Sequence, residues 1–180
     1  MDAFETLGIP RALVIPEEEV RAAFREAGKR VHPDAGGSEM EFAAAQQAFA
    51  TLMSPSKRLK HWLTLRGESG DDRGSISPEL MDLFGQVGAA MQQADGVVRK
   101  RGEARSALVL AMLEGETQAC REAIEVAISK VDAAIGAEVS VFPAIESGAV
   151  TASQAAQHVR NLAFMEKWRA NLQERFARLV

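Results

Sequence analysis

Arg30-Val31-His32-Pro33-Asp34-Ala35-Gly36-Gly37 is the stretch on which two helical patterns converge. Upstream, between Pro16 and Val31, the apolar residues Val20, Phe24, Ala27 and Val31 recur on one face of a helix; downstream, Phe42, Ala45, Phe49 and Leu52 do the same. Pro33 cannot continue the first helix, and its ring pushes His32 out of the helical region. Gly36 and Gly37 then let the chain turn. The stretch therefore reads as a short solvent-facing turn between two amphipathic helices packed antiparallel, presenting an imidazole and a carboxylate.

The helix leading into this turn is charged in an ordered way. Glu17, Glu18 and Glu19 occupy its first turn, where free backbone N–H groups and the positive end of the helix dipole favour carboxylates. Arg21, Arg25 and Lys29 follow four residues apart, with Arg30 beside the last, so they form one stripe. Lys29 and Arg30 suit the negative end of the dipole, and Glu17 and Glu18 can pair with part of the stripe. Next to an exposed His-Pro-Asp turn, the stripe is predicted to dock an acidic partner and to weaken as salt rises.

Outward from this pair, residues 2–8 read as a short helix ended by Gly8 and Pro10. Ser38 and Glu41 have capping-box spacing, and Ser54-Pro55 opens a helix through Leu65. Lys57, Arg58 and Lys60 on that helix fit either a solvated face or a contribution to docking. Residues 67–76, rich in glycine and polar groups, interrupt the apolar period and mark the boundary between two parts.

Ser77-Pro78 then starts a helix with Leu80, Leu83, Phe84, Val87 and Met91 on one face. From Ala107 to Ile135 the pattern fits one long bent helix or two shorter ones divided near Gly115. Residues 137–150 read as a loop or partial turn. Thr151 and Gln154 cap a long final helix carrying Ala155, Val159, Leu162, Met165, Leu172, Phe176 and Leu179. Helices of this kind hide their apolar faces only by packing together, so an all-α protein with a three- or four-helix bundle in its second part is expected.

Composition narrows the function. A net charge of -4 argues against a broad basic surface for nucleic acid, and residues 1–66 hold nine acidic and nine basic side chains, so the stripe is a local feature. Cys120 is the single cysteine, which excludes an internal disulfide and a cysteine zinc cluster; within a helical pattern it reads as a small buried or half-buried side chain. His61 and His158 stand without companions at metal-ligand spacing. No stretch approaches a membrane span and the N-terminus lacks a leader pattern, so a soluble cytoplasmic protein with no metal and no cofactor of its own is expected.

Residues 4 to about 65 resemble a J-domain, the module by which co-chaperones engage DnaK-type chaperone ATPases. His32, Pro33 and Asp34 match its signature, Phe4 to Leu7 its first helix, Arg21, Arg25, Lys29 and Arg30 its basic second helix, and Ala48-Phe49 with Leu52 its third. The layout of a J-domain (1–66), a linker (67–76) and a helical bundle (77–180) resembles the HscB family of iron-sulphur cluster co-chaperones. Phe4-Glu5-Thr6-Leu7-Gly8-Ile9-Pro10, Trp62 to Gly67, Leu80-Met81 and Asn161 to Lys167 extend that likeness over most of the chain. One departure is clear: of the acidic residues that follow Leu-Met in that family and help bind the cluster scaffold, Asp82 alone is present.

The resemblance implies a non-enzymatic co-chaperone that accelerates ATP hydrolysis by its partner. His32, Pro33 and Asp34 would act at the interface while Arg21, Arg25, Lys29 and Arg30 orient it. It further implies a client-binding role for the bundle, toward an iron-sulphur cluster scaffold or another protein client, through Leu80, Met81, Phe84, Phe164 and Met165, residues whose periodicity equally suits a core. A helical adaptor with a J-like fold and no effect on an ATPase is the alternative. A hydrolase built on His32 and Asp34 lacks a nearby nucleophile or metal ligands, and the chain has no P-loop.

Overall fold

The computed structural model describes residues 1–31, 38–68 and 74–180. Among these the chain is helical: α1 (Ala3–Leu7), α2 (Glu17–Val31), α3 (Glu39–Met53), α4 (Pro55–Leu65), a 3-10 turn (Pro78–Leu80), α5 (Met81–Glu103), α6 (Ala107–Val139), α7 (Phe142–Glu146) and α8 (Ala152–Leu179). Two compact units result. The first comprises Met1–Ser75 with Glu138–Ala163, the second Ile76–Ala137 with Phe164–Val180. The chain leaves the first unit after Ser75 and returns to it over Glu138–Ala163.

Local chemistry sets the helix ends of unit 1. Asp2 caps α1 by accepting from the Phe4 N–H, and Gly8, at φ 71°, closes it in the left-handed conformation that glycine adopts without strain. Ser38 and Glu41 form the reciprocal capping box of α3, and the Ser54 hydroxyl accepts from the Lys57 N–H at the start of α4. Phe4, Val20, Ala27, Ala45, Leu52 and Leu59 supply the buried side chains of α1 to α4. Half-buried Phe24 and Phe49 stack at 4.5 Å between α2 and α3. The helical hairpin expected from the sequence is therefore present.

Polar ties complete unit 1. His61 Nε2 accepts the Ala3 N–H at 3.0 Å, so this histidine ties the start of α1 to α4. The Leu13 N–H donates to the Glu146 carboxylate on α7. Arg58 is 6% exposed, and its Nη1 donates to the Leu52 carbonyl at 3.2 Å and the Ile15 carbonyl at 3.5 Å, with its guanidinium 5.7 Å from the Phe142 ring centre. Of the three bases on α4, Arg58 is thus neither solvated nor available for docking, a correction the helical period alone could not supply.

Residues 137–150 also differ from the expected loop. Helix α6 continues to Val139, and Pro143 sits in the first turn of α7, where a missing N–H costs nothing and the fixed φ suits a helix. Phe142 and Ile145, three apart and both buried, anchor that turn before Gly148 ends it at φ 77°. Glu138 then accepts from Asn161 Nδ2 at 2.8 Å and pairs with His158 Nδ1, joining the end of α6 to α8.

Unit 2 is a three-helix bundle. Val87, Ala90, Ala94 and Val97 of α5 are buried, as are Cys120, Ile124, Val131 and Ile135 of α6 and Met165, Trp168, Leu172 and Leu179 of α8. Polar pairs tie each helix to both others: Lys130 to Gln86 at 2.6 Å, Arg175 to Asp95 at 3.0 Å, and Arg169 to Asp132 at 3.2 Å. Helix α6 passes Gly115 without a break, which settles one helix over two. Buried Thr117 is satisfied by donating to the Leu113 carbonyl and accepting from Arg101. Burial pushes the Cys120 thiol above its ordinary range, with Glu116 adding to the effect.

Two outcomes follow from this packing. Arg58→Ala removes a buried donor from two carbonyls and a contact from Phe142, and should cost about 2–4 kcal/mol of unfolding free energy, read by urea denaturation. Cys120 should resist a thiol reagent across neutral and mildly alkaline pH until denaturant is added; rapid labelling of native protein would contradict the packing of α6.

Candidate functional site

The basic stripe of α2 lies on the surface. Arg21, Arg25, Lys29 and Arg30 are all exposed, and three of them reach acids on their own helix. Arg21 meets Glu17 at 3.4 Å, Arg25 meets Glu18 at 2.8 Å, and Lys29 meets Glu26 at 2.7 Å. The hydrogen bond and charge of Arg25 hold the Glu18 carboxyl below its usual range, and Lys29 does the same to Glu26. Both acids are consequently ionised at neutral pH. Exposed pairs of this kind contribute little and are screened by salt, so a better-placed acidic surface can exchange them at small cost.

His32, Pro33 and Asp34 lie outside the described residues. Their flanks are defined. Helix α2 runs to Val31, and α3 begins at the Ser38 cap, whose hydroxyl accepts the Glu41 N–H at 3.1 Å while the Glu41 carboxylate accepts the Ser38 N–H at 3.1 Å. Those hydrogen bonds keep the Glu41 carboxyl below its ordinary range. The Phe24–Phe49 stack joins α2 to α3, the two helices that flank residues 32–37 in sequence.

In unit 2 the five residues grouped from sequence divide by exposure. Met81 is 54% exposed, Phe84 49% and Phe164 40%, whereas Leu80 and Met165 are buried and support the surface from the core. The two phenylalanines converge on one neighbour: Phe84 lies 5.6 Å and Phe164 6.3 Å from Trp168, both tilted. Trp168 is buried, so it acts as a rigid floor beneath two half-exposed rings. The sequence reading missed it, although Phe164 and Trp168 are four apart and had to share a helix face.

Among the described residues no group of three or more His, Cys, Asp and Glu side chains is placed to hold a metal ion, and no helix is long and apolar enough to cross a membrane. The exposed stripe and the aromatic patch are both suited to protein contacts.

No protein-family model matches the chain. The tetratricopeptide repeat and J domain-containing co-chaperone of Cryptococcus neoformans is 37% identical over 71 residues, covering 39% of this chain and 12% of that protein. A co-chaperone protein HscB homolog of Burkholderia mallei is 27% identical over 162 residues, covering 76% of this chain and 93% of that protein. The structure of chaperone HscB from Vibrio cholerae matches with a TM-score of 0.62 at 20% identity over 100% of both chains. Against its first J-domain relatives the chain spans a third of their length or less.

These relations define the class: an all-α chain with a J-domain hairpin followed by a helical bundle. Over most of its length it is similar to HscB co-chaperones.

The division of the patch has a direct check. Phe84→Ser should lower stability by no more than about 1 kcal/mol because half of the ring already faces water, whereas Trp168→Ala should cost about 3–5 kcal/mol. Equal losses in chemical denaturation would mean that Phe84 is core and not surface.

Proposed function

We propose that the chain is a co-chaperone that stimulates ATP hydrolysis by a DnaK-type chaperone and presents a protein client to it. The observation that carries this reading is the exposed stripe Arg21, Arg25, Lys29 and Arg30 leading along α2 into His32-Pro33-Asp34, in a chain whose whole-length layout is that of HscB. The stripe supplies orientation through charge, and the tripeptide acts at the interface to favour the partner's hydrolytic conformation. ATP and magnesium belong to the partner.

The client surface in this reading is Met81 with Phe84 and Phe164, the two rings lying over Trp168. Aromatic rings held on a buried floor fit a partner's apolar surface at low entropic cost, and a flexible methionine adapts its shape to that surface. An iron-sulphur cluster scaffold protein is the client class the HscB layout favours. With Asp82 as the one acid in the turns that follow Leu80-Met81, apolar contact carries more of the recognition than charge. The scaffold, not this chain, holds the cluster in this scheme.

Single-turnover ATP hydrolysis by a purified DnaK-type chaperone tests the first half. Stimulation should fall at least about tenfold with His32→Gln at unchanged helicity, and Arg25→Glu should reduce it strongly at low salt and progressively less as salt rises. An unaltered rate with His32→Gln would favour the adaptor reading instead. Phe84→Ala with Phe164→Ala should weaken scaffold binding about 10- to 100-fold in calorimetry while leaving direct ATPase stimulation intact.

A further inference from the structure

Helix α6 carries two apolar faces, and the bundle uses one. Cys120, Ile124, Val131 and Ile135 are buried. On a different side, Leu108 is 72%, Met112 76% and Val126 55% exposed. Leu108 and Val126 are eighteen residues apart, five full turns of helix, so they share one azimuth about 27 Å apart. Between and beyond them the relief changes. Leu108 and Met112 make a ridge, whereas around Val126 the small residues Ala119, Ala123 and Ala127 of α6 line a groove of about 530 Å³ with Ala89 and Ala90 of α5.

We infer that this face pairs two copies of the chain, antiparallel along α6, with Leu108 and Met112 of each copy seated in the groove of the other. Self-complementarity selects a second copy as the occupant. A two-fold axis at the level of residue 117 exchanges positions 108 and 126, so both ridge-in-groove contacts form together and the assembly closes as a dimer. A foreign partner would have to match both the ridge and the groove, whereas a second copy supplies the complement of each.

The extent of the face is consistent with that assembly. From Leu108 to Lys130 it runs about 33 Å along a helix about 10 Å wide. That is a footprint of roughly 330 Å² per copy, below the roughly 800 Å² per partner of a standard stable interface, which implies a weak, reversible dimer. At the crossing Gly115 and Ala119 of the two copies meet, and the space above Gly115 is open to a distance of 4 Å. Glu122 and Lys130 at the groove supply a polar rim.

Sedimentation velocity from low micromolar to near-millimolar concentration provides the test, together with directed cross-linking. The wild-type chain should show a concentration-dependent dimer, and Leu108→Glu or Met112→Glu should raise its dissociation constant at least about tenfold without loss of helicity, both side chains being exposed in the single copy. In a Cys120→Ser background, mixing Leu108→Cys with Val126→Cys under mild oxidation should link the two variants to each other. Either variant alone should link poorly, because in an antiparallel pair its two thiols lie about 27 Å apart. A monomer at every concentration, open-ended aggregation, or self-linking of Leu108→Cys as efficient as the mixed link would overturn the inference.

Discussion

The buried guanidinium of Arg58 is the interaction on which unit 1 depends. A charge out of water is tolerated where oriented acceptors replace the lost hydration, and here they come from separate parts of the chain. The Leu52 carbonyl ends α3, the Ile15 carbonyl precedes α2, and Phe142 on α7 offers its ring face. None of these segments alone satisfies the cation, so ordering one requires the others. The Leu13 N–H, held by Glu146, adds a second strand of the same linkage. Together they explain why Glu138–Ala163, distant in sequence, belongs to the first unit, and why the start of α2 is fixed before any docking charge on it is considered.

How much of this was legible follows from the range of each interaction. The Ser38/Glu41 and Thr151/Gln154 caps involve partners three residues apart, and both were readable because the residue types and their spacing state the whole interaction. The amphipathic hairpin of α2 and α3 was readable for the same reason: its apolar spacing is local. Arg58 and the Ile15 carbonyl are 43 residues apart, and Leu13 and Glu146 are 133 apart. No periodicity encodes such pairs. A proline usually argues for a loop, and α7 escaped notice because Pro143 occupies the one helical turn that accepts it.

The candidate surfaces show the same limit in a different form. Charge on α2 was legible as a stripe because Arg21, Arg25 and Lys29 recur four apart, a spacing that by itself places them on one side of the helix. Exposure on the bundle was not, since Leu80, Phe84 and Met165 satisfy one helical period equally well, yet Phe84 is half in solvent and the other two are core. Phase assigns a face to a residue; it does not say how far the neighbouring helix covers that face. Trp168 decides it here. Its indole fills the space under Phe84 and Phe164, leaving both rings at the surface with one side supported.

Helix α6 carries that argument one step further. A helix with one apolar stripe has an unambiguous inside, but α6 alternates small and large apolar residues around much of its circumference, with Leu108, Met112, Ala119 and Val126 set apart from the face that buries Cys120 and Ile124. Its amphipathic signal is blurred for that reason, and the residues from Ala107 to Met112 are all exposed despite being apolar without exception. Dispersion and water exclusion act on such a surface whether or not the partner is part of the same fold. The bundle needs one stripe of α6 to close its three-helix core. The second contributes nothing to that core, and its stabilising capacity is realised only when another surface covers it.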